Sequence, residues 1–145
     1  MLAIFGLAGI VGTFVGERVA ARNPPAGTAV VALTMAASII MSVYFISSLQ
    51  FEAVAVALWG VAFGAVPVCV QLWSYAADPD RFEASSALTV TVFQIALAAG
   101  SFCGGILADA WDIPITFVAA ATLSLLCALL SAICAATQTK TVLEN

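Results

Sequence analysis

The sequence predicts an all-α fold: a polytopic membrane protein with five transmembrane helices. Three observations predict it. The 145 residues are 63% hydrophobic and only 8% charged, with a mean hydropathy of +1.14, whereas a soluble domain carries about 25% charged residues. A water-soluble fold of this composition would expose apolar patches larger than soluble monomers carry. Charges and prolines cut the chain into five apolar segments, each near the roughly 20 residues that cross a bilayer. The four basic residues all fall at alternate turns or the tail, the bias that orients membrane proteins.

The first span is expected over 1–21, with its apolar part ending near Val15. Its basic residues, Arg18 and Arg22, follow the apolar run, the reverse of a signal peptide, so the run reads as a spanning helix. Arg22-Asn23-Pro24-Pro25 reads as a tight turn, because proline cannot continue a helix and restricts the residue before it. The second span, 26–48, carries no charge and ends in a polar break at Ser47-Ser48-Leu49-Gln50, with Glu52 just beyond. The third, 51–76, is closed by Asp78-Pro79-Asp80. The fourth, 81–108, starts where Asp80 can cap and Glu83 suits the positive end of the helix dipole. After the turn 109–114 the fifth span covers 113–136, and 137–145 is a short polar tail. Residues 1–145 thus form a single transmembrane domain.

Five crossings place the first turn, the third turn and the tail on one side. Arg18, Arg22, Arg81 and Lys140 all lie there, while Glu52, Asp109 and Asp112 occupy the other turns. The basic side is cytoplasmic. The N-terminus is expected outside and the C-terminus cytoplasmic, with the cytoplasmic turns marked by Arg18, Arg22, Asp78, Arg81 and Glu83.

The composition also excludes. The net charge of −4 is spread over scattered residues, and no basic patch invites nucleic acid. All four cysteines sit in apolar runs, no CxxC exists and there is no histidine, so neither a metal nor a cofactor is expected. The thiols read as small apolar fillers. Catalysis has no support, since the chain has no GxSxG and no close carboxylate pair at membrane depth. The expected partners are the lipid bilayer and, through the residues below, a small organic solute.

The candidate residues lie between Trp59 and Gly105, two apolar runs around one charged turn. Pro67 removes a backbone hydrogen bond in the middle of the third span. Gln71 lies one turn on, and Gly60, Gly64, Pro67, Gln71 and Ser74 share one helical face. An amide at membrane depth needs a partner or water, so Gln71 either faces a solute cavity or ties one helix to another. In the fourth span Glu83, Ala87, Val90, Gln94, Ala98, Ser101 and Gly105 share a face. Thr89 and Thr91 flank it, and their hydroxyls can bond their own helix carbonyls. Trp59 and Phe63 are deep enough to line a cavity with the amides, whereas Trp73, Tyr75 and Trp111 read as interfacial anchors. The cavity candidates are therefore Gln71, Gln94, Phe63, Trp59, Pro67 and Ser101. Small pairs four residues apart, Gly12/Gly16, Gly60/Gly64 and Gly100/Gly104, are candidates for close helix packing.

Trp59-Gly60 with Pro67 and Gln71, Ala77-Asp78-Pro79 with Glu83-Ala84, and Phe93-Gln94 with Gly100 and Gly104-Gly105 follow in an order that resembles the tenth helix, its cytoplasmic turn and the eleventh helix of major facilitator superfamily carriers. The likeness is to the twelve-helix drug–proton antiporter branch. Gly12, Gly16, Arg18 and Arg22 resemble the turn between its eighth and ninth helices, except that Ala21-Arg22 stands where the family has an Asp-Arg pair. The resemblance covers nearly the whole chain, as helices eight to twelve of the C-terminal six-helix bundle. It implies that the first, third and fourth spans line a central cavity and that the second and fifth face lipid. It also implies a secondary, proton-coupled efflux carrier in a bacterial plasma (inner) membrane, of which this chain is a C-terminal fragment, inactive without the N-terminal half. Met1 falls inside an apolar run, in keeping with a fragment. The alternative expectation is a complete small membrane protein that acts by helix–helix assembly with itself or a partner chain.

Overall fold

The computed structural model describes residues 1–45 and 48–144, with side chains to 138. The end of the second expected span and Ser47 of the polar break lie outside the described residues, as do the Lys140 side chain and Asn145. The chain is all-α: α1 Leu2–Ala20, α2 Pro24–Tyr44, α3 Leu49–Ala77, α4 Phe82–Ala110 and α5 Ile113–Glu144, with a short 3-10 turn at Pro79–Arg81. Five helices among the described residues are long and apolar enough to cross a membrane.

Several ends differ from the expected ones for local reasons. Pro24 and Pro25 belong to α2, not to the turn before it. Asn23 is the cap, its Oδ1 accepting from Ala26 N at 3.1 Å. Prolines fit the first helical turn, where their missing N–H would have no partner anyway. The expected Asp80 cap does not form. Pro79 starts a single 3-10 turn that takes in Asp80, and α4 starts behind Arg81 without a side-chain cap bond. The polar tail is not a separate segment either, since α5 runs on to Glu144. Residues 137–144 contain neither proline nor glycine, so polarity can carry the chain out of an apolar layer without ending its helix. Asp78, before Pro79, is extended (φ −151°, ψ 83°) and ends α3.

The helices pack in the order α1, α3, α2, α5, with α4 attached to α3 and α5 only. The α1–α3 contact is backbone on backbone. Gly12, Gly16 and Gly60 are buried and Gly64 is half-buried. A Cβ on Gly60 would lie 2.5 Å from the Phe5 carbonyl oxygen, and one on Gly16 would lie 2.9 Å from Ala65 Cα. On Gly12 it would strike the Val61 backbone, and on Gly64 the backbone of Gly9. Cys69 Sγ closes the seam, 3.7 Å from the Gly16 carbonyl oxygen. Beside it the core gathers Ala20, Val31, Ala62, Ala65 and Cys69, with Met35, Val66 and Leu72 packed against them. The residues filling this core are small because the helices approach so closely.

Half of the α2 span is buried and none of the α4 span. The second helix, expected to face lipid, is buried along one side only. It stands between α3 and α5 and buries Ala29, Val31, Ala32, Ala36, Ser38, Ile39 and Ser42. Only its far side, with Val30, Leu33 and Ile40, is exposed. The packing expectation for Gly100 and Gly104 also fails within this chain. Nothing lies within 4 Å of a Cβ built on Gly100, and Gly104 meets only Thr116 Cγ2, at 4.0 Å. The reason is that α4 is held near its ends and no described helix covers this stretch.

Gly64→Ala should thus force α1 and α3 apart and cost about 2 kcal/mol or more, read by detergent unfolding of the chain in micelles. Gly100→Ala, which meets open space, should be neutral or mildly stabilising in the same assay, since alanine is the better helix former.

Candidate functional site

The start of α4 turns back on the end of α3, and polar side chains join them. Ser86 Oγ donates to Gln71 Oε1 at 3.0 Å, and the hydroxyls of Ser74 and Thr89 share a hydrogen bond of 2.9 Å. Gln71 and Ser74 are three residues apart, as are Ser86 and Thr89, so each pair lies on one face of its helix. One turn nearer the helix ends, Tyr75 meets Phe82 edge to face with ring centroids 5.4 Å apart. Most other hydroxyls on the spans bond their own helix, as Thr91 does to the Ala87 carbonyl at 2.8 Å. Such bonds need no partner from elsewhere. Ser86 and Thr89 depart from this pattern and reach another helix.

Gln71 also borders open space. A shallow cavity of about 410 Å³, wide open on one side, is lined by Glu17 of α1, by Pro67, Val68, Gln71, Leu72 and Tyr75 of α3, and by Phe82 of α4. A smaller one of about 50 Å³ lies on the other side of Gln71, against Thr89, Val90 and Phe93. Pro67 lines both. Its missing N–H leaves the Phe63 carbonyl without the usual helical donor. The cavity thus has apolar and aromatic walls, one amide and one carboxylate on its rim. This suits a small organic solute that is largely apolar with a few polar groups.

The structure brings together Gln71 and Pro67 among the expected cavity residues, and not the others. Gln94 is exposed on α4, and the cavity lining stops at Phe93. It lies eight residues beyond Ser86, about 12 Å along the helix, so the two amides line no common cavity among the described residues. Ser101 is farther along the same exposed stretch. Trp59 and Phe63 belong to an aromatic cluster nearer the opposite end. Phe5 packs against Trp59 at 5.9 Å and Phe63 at 5.8 Å, and Trp59 meets Phe117 at 6.4 Å. Rings that meet one another across α1, α3 and α5 are engaged in packing. Arg18, Arg22, Asp78, Arg81 and Glu83 are exposed around the turns.

Sequence reasoning missed Glu17 and Ser86, and it expected the Thr89 hydroxyl to bond its own helix where the structure pairs it with Ser74. Glu17, which the reading of the first span passes over, borders the same cavity as Gln71. Its signal was its place beside Gly16, whose contact with Ala65 fixes which side of α1 meets α3. No sequence signal marks Ser86 and Thr89 apart from Ser85 and Thr91.

The fold and the site define an integral membrane protein with a small, mostly apolar cavity beside a helical turn. No family model and no solved structure matches the chain. The chain is similar to the transcription regulatory protein OpdE of Pseudomonas aeruginosa, 30% identical over 131 residues, 90% of this chain and 33% of that protein. It is similar to the purine ribonucleoside efflux pump NepI of Salmonella enteritidis, 30% identical over 132 residues, 91% of this chain and 33% of the pump. The NepI of Salmonella typhimurium is 30% identical over 109 residues, 75% of this chain and 28% of the pump. The chain therefore spans about a third of the length of these relatives.

The Gln71–Ser86 bond should contribute about 0.6 kcal/mol to the α3–α4 contact, the mean for such pairs in a membrane protein. A double-mutant cycle of Gln71→Leu and Ser86→Ala, followed by unfolding in micelles, measures it. A coupling of zero would mean that the bond does not hold the hairpin.

Proposed function

We propose that this chain is a C-terminal portion of a secondary, proton-coupled carrier that exports a small organic solute across the bacterial plasma (inner) membrane. The observation that carries the reading is the cavity beside Gln71, walled by α1, α3 and α4. Those are the helices that the carrier resemblance assigns to the central cavity. Similarity over 91% of the chain to an efflux pump supports the same reading. Gln71 would contact the solute, and Glu17 would favour a positively polarised group at the rim. The rest of the carrier, its N-terminal half, would supply the facing wall and the proton-carrying group, because rocking of two halves around a fixed site needs both. The chain alone would then be inactive. The turns at 21–23 and 78–81 would be cytoplasmic, with the N-terminus outside and the C-terminus inside.

The test is transport. Purine ribonucleoside is the first solute to assay, since a relative is named for exporting it. The chain reconstituted alone in vesicles should give no transport above empty vesicles. Joined to its N-terminal half, it should export. There Gln71→Leu should lower export about tenfold, the value of one polar contact to a substrate, while Gln94→Leu should have little effect. Transport by the chain alone, or full export by Gln71→Leu, would overturn the assignment. Unchanged export together with lost stability would leave Gln71 a helix tie only.

A second reading is favoured by one feature, the open glycine stretch of α4. It is a small membrane protein that assembles with itself or a partner chain. A discrete oligomer of the short chain, cross-linked in native membranes, would support it over the carrier reading.

Sidedness is checked separately. Alkaline phosphatase fused after Asp80 should be inactive and fused after Asp112 active, because the enzyme folds only outside the cytoplasm, where disulfides form.

A further inference from the structure

Glu52 stands in the first turn of α3, at the end of the bundle away from the 78–81 turn. Its Oε2 is shut off from solvent and has no hydrogen-bond partner among the described residues. A carboxyl oxygen in that position is costly to leave unpaired, and such atoms call for a donor. Glu52 lines a cavity of about 380 Å³ with Ser42, Val43, Ile113, Pro114 and Phe117. No cationic side chain lines it. Arg18, Arg22 and Arg81 all lie near the other end of their helices. The walls come from the last turn of α2 and the first turns of α3 and α5. In spans of this length those turns sit at the level of the lipid headgroups. Ile113 is 64% exposed, so the cavity wall continues onto the surface that lipid covers.

We propose that this cavity seats an aminophospholipid headgroup, its primary ammonium donating to the Glu52 carboxylate once that side chain turns its buried oxygen toward the cavity, while the body of the lipid lies along Val43, Ile113 and Phe117. The occupant must carry an N–H donor, a positive charge and an apolar body at interface depth. A charge-assisted hydrogen bond of this kind is the strong sort, and a quaternary headgroup has no N–H to offer. The inference does not rest on the carrier reading, which concerns the opposite end of α3.

The test uses the full chain in nanodiscs of equal parts phosphatidylethanolamine, phosphatidylcholine and phosphatidylglycerol, with native mass spectrometry of the released protein. The expected result is one retained phosphatidylethanolamine, preferred over the other two. Glu52→Gln should reduce that preference about tenfold. Val43→Trp keeps the carboxylate but fills the cavity, and should reduce retention too, which covers failure of the first variant to fold. Equal retention of the ethanolamine and choline lipids would overturn the proposal, as would a preference that survives Glu52→Gln. Binding of added dodecylamine with no lipid preference would overturn the lipid assignment.

Discussion

The structure depends on the backbone contact between α1 and α3. Water drives helices together in a soluble protein, but two apolar helices in lipid gain nothing from leaving one apolar surface for another. What remains is close packing. Gly12, Gly16, Gly60 and Gly64 supply it by removing every Cβ that would hold the two backbones apart. With the seam formed, Ala62, Ala65 and Cys69 are enclosed, and α2 finds a surface on which Val31 and Ala36 bury. The core of this chain is therefore built from small residues. Its large ones, such as Leu7, Ile10 and Leu33, point outward, the inverse of a soluble fold.

That contact also positions the site. It sets α1 beside α3 so that Glu17 opens onto the space next to Pro67 and Gln71. The third wall is attached differently. α4 meets α3 through two hydrogen-bonded side-chain pairs and one ring contact. Interhelical bonds in membranes are individually modest, and no residue of α4 is buried. The cavity thus has one wall locked by backbone contact and another held by a few side chains. Gln71 belongs to both aspects, since the same amide that accepts from Ser86 borders the open volume.

Much of the architecture was legible because its causes are local. Span length follows from runs of apolar residues, and the breaks follow from Pro24, Pro79 and the charges beside them. The errors were local too. Asn23 and the two prolines open a helix rather than forming a turn, and 137–144 stays helical because nothing in it breaks a helix. The site was less legible. Gly60/Gly64 and Gly100/Gly104 have the same spacing, yet only the first pair meets a neighbour. Gln71 and Gln94 are likewise alike in sequence and different in space. What separates them is which helix stands opposite, and spacing within one helix carries no information on that. The Ser86 hydroxyl and the Glu52 oxygen, which has no partner among the described residues, are of the same kind, because each is defined by the presence or absence of a group distant in the chain.

The uneven enclosure of the helices needs its own argument. An exposed apolar face is uninformative in a membrane, because lipid covers it as readily as another helix. Residue size is more informative. Along α5 the exposed face between Leu123 and Leu130 presents large side chains, with Leu123, Leu129 and Leu130 all well exposed. The α4 stretch from Ala98 to Gly105 is different, since all but Phe102 are small. Its glycines leave backbone bare, with nothing within 4 Å of the Cβ positions at Gly100 and Gly105. Bare backbone facing fluid chains forfeits the dispersion contacts that a fitted surface would return. The same residue types, set against a helix, produce the closest contact in this fold. The composition of α4 thus suits a protein neighbour better than lipid. A protein neighbour for this stretch is what the carrier reading and the assembly reading have in common, so the stretch argues for a partner surface without choosing between them.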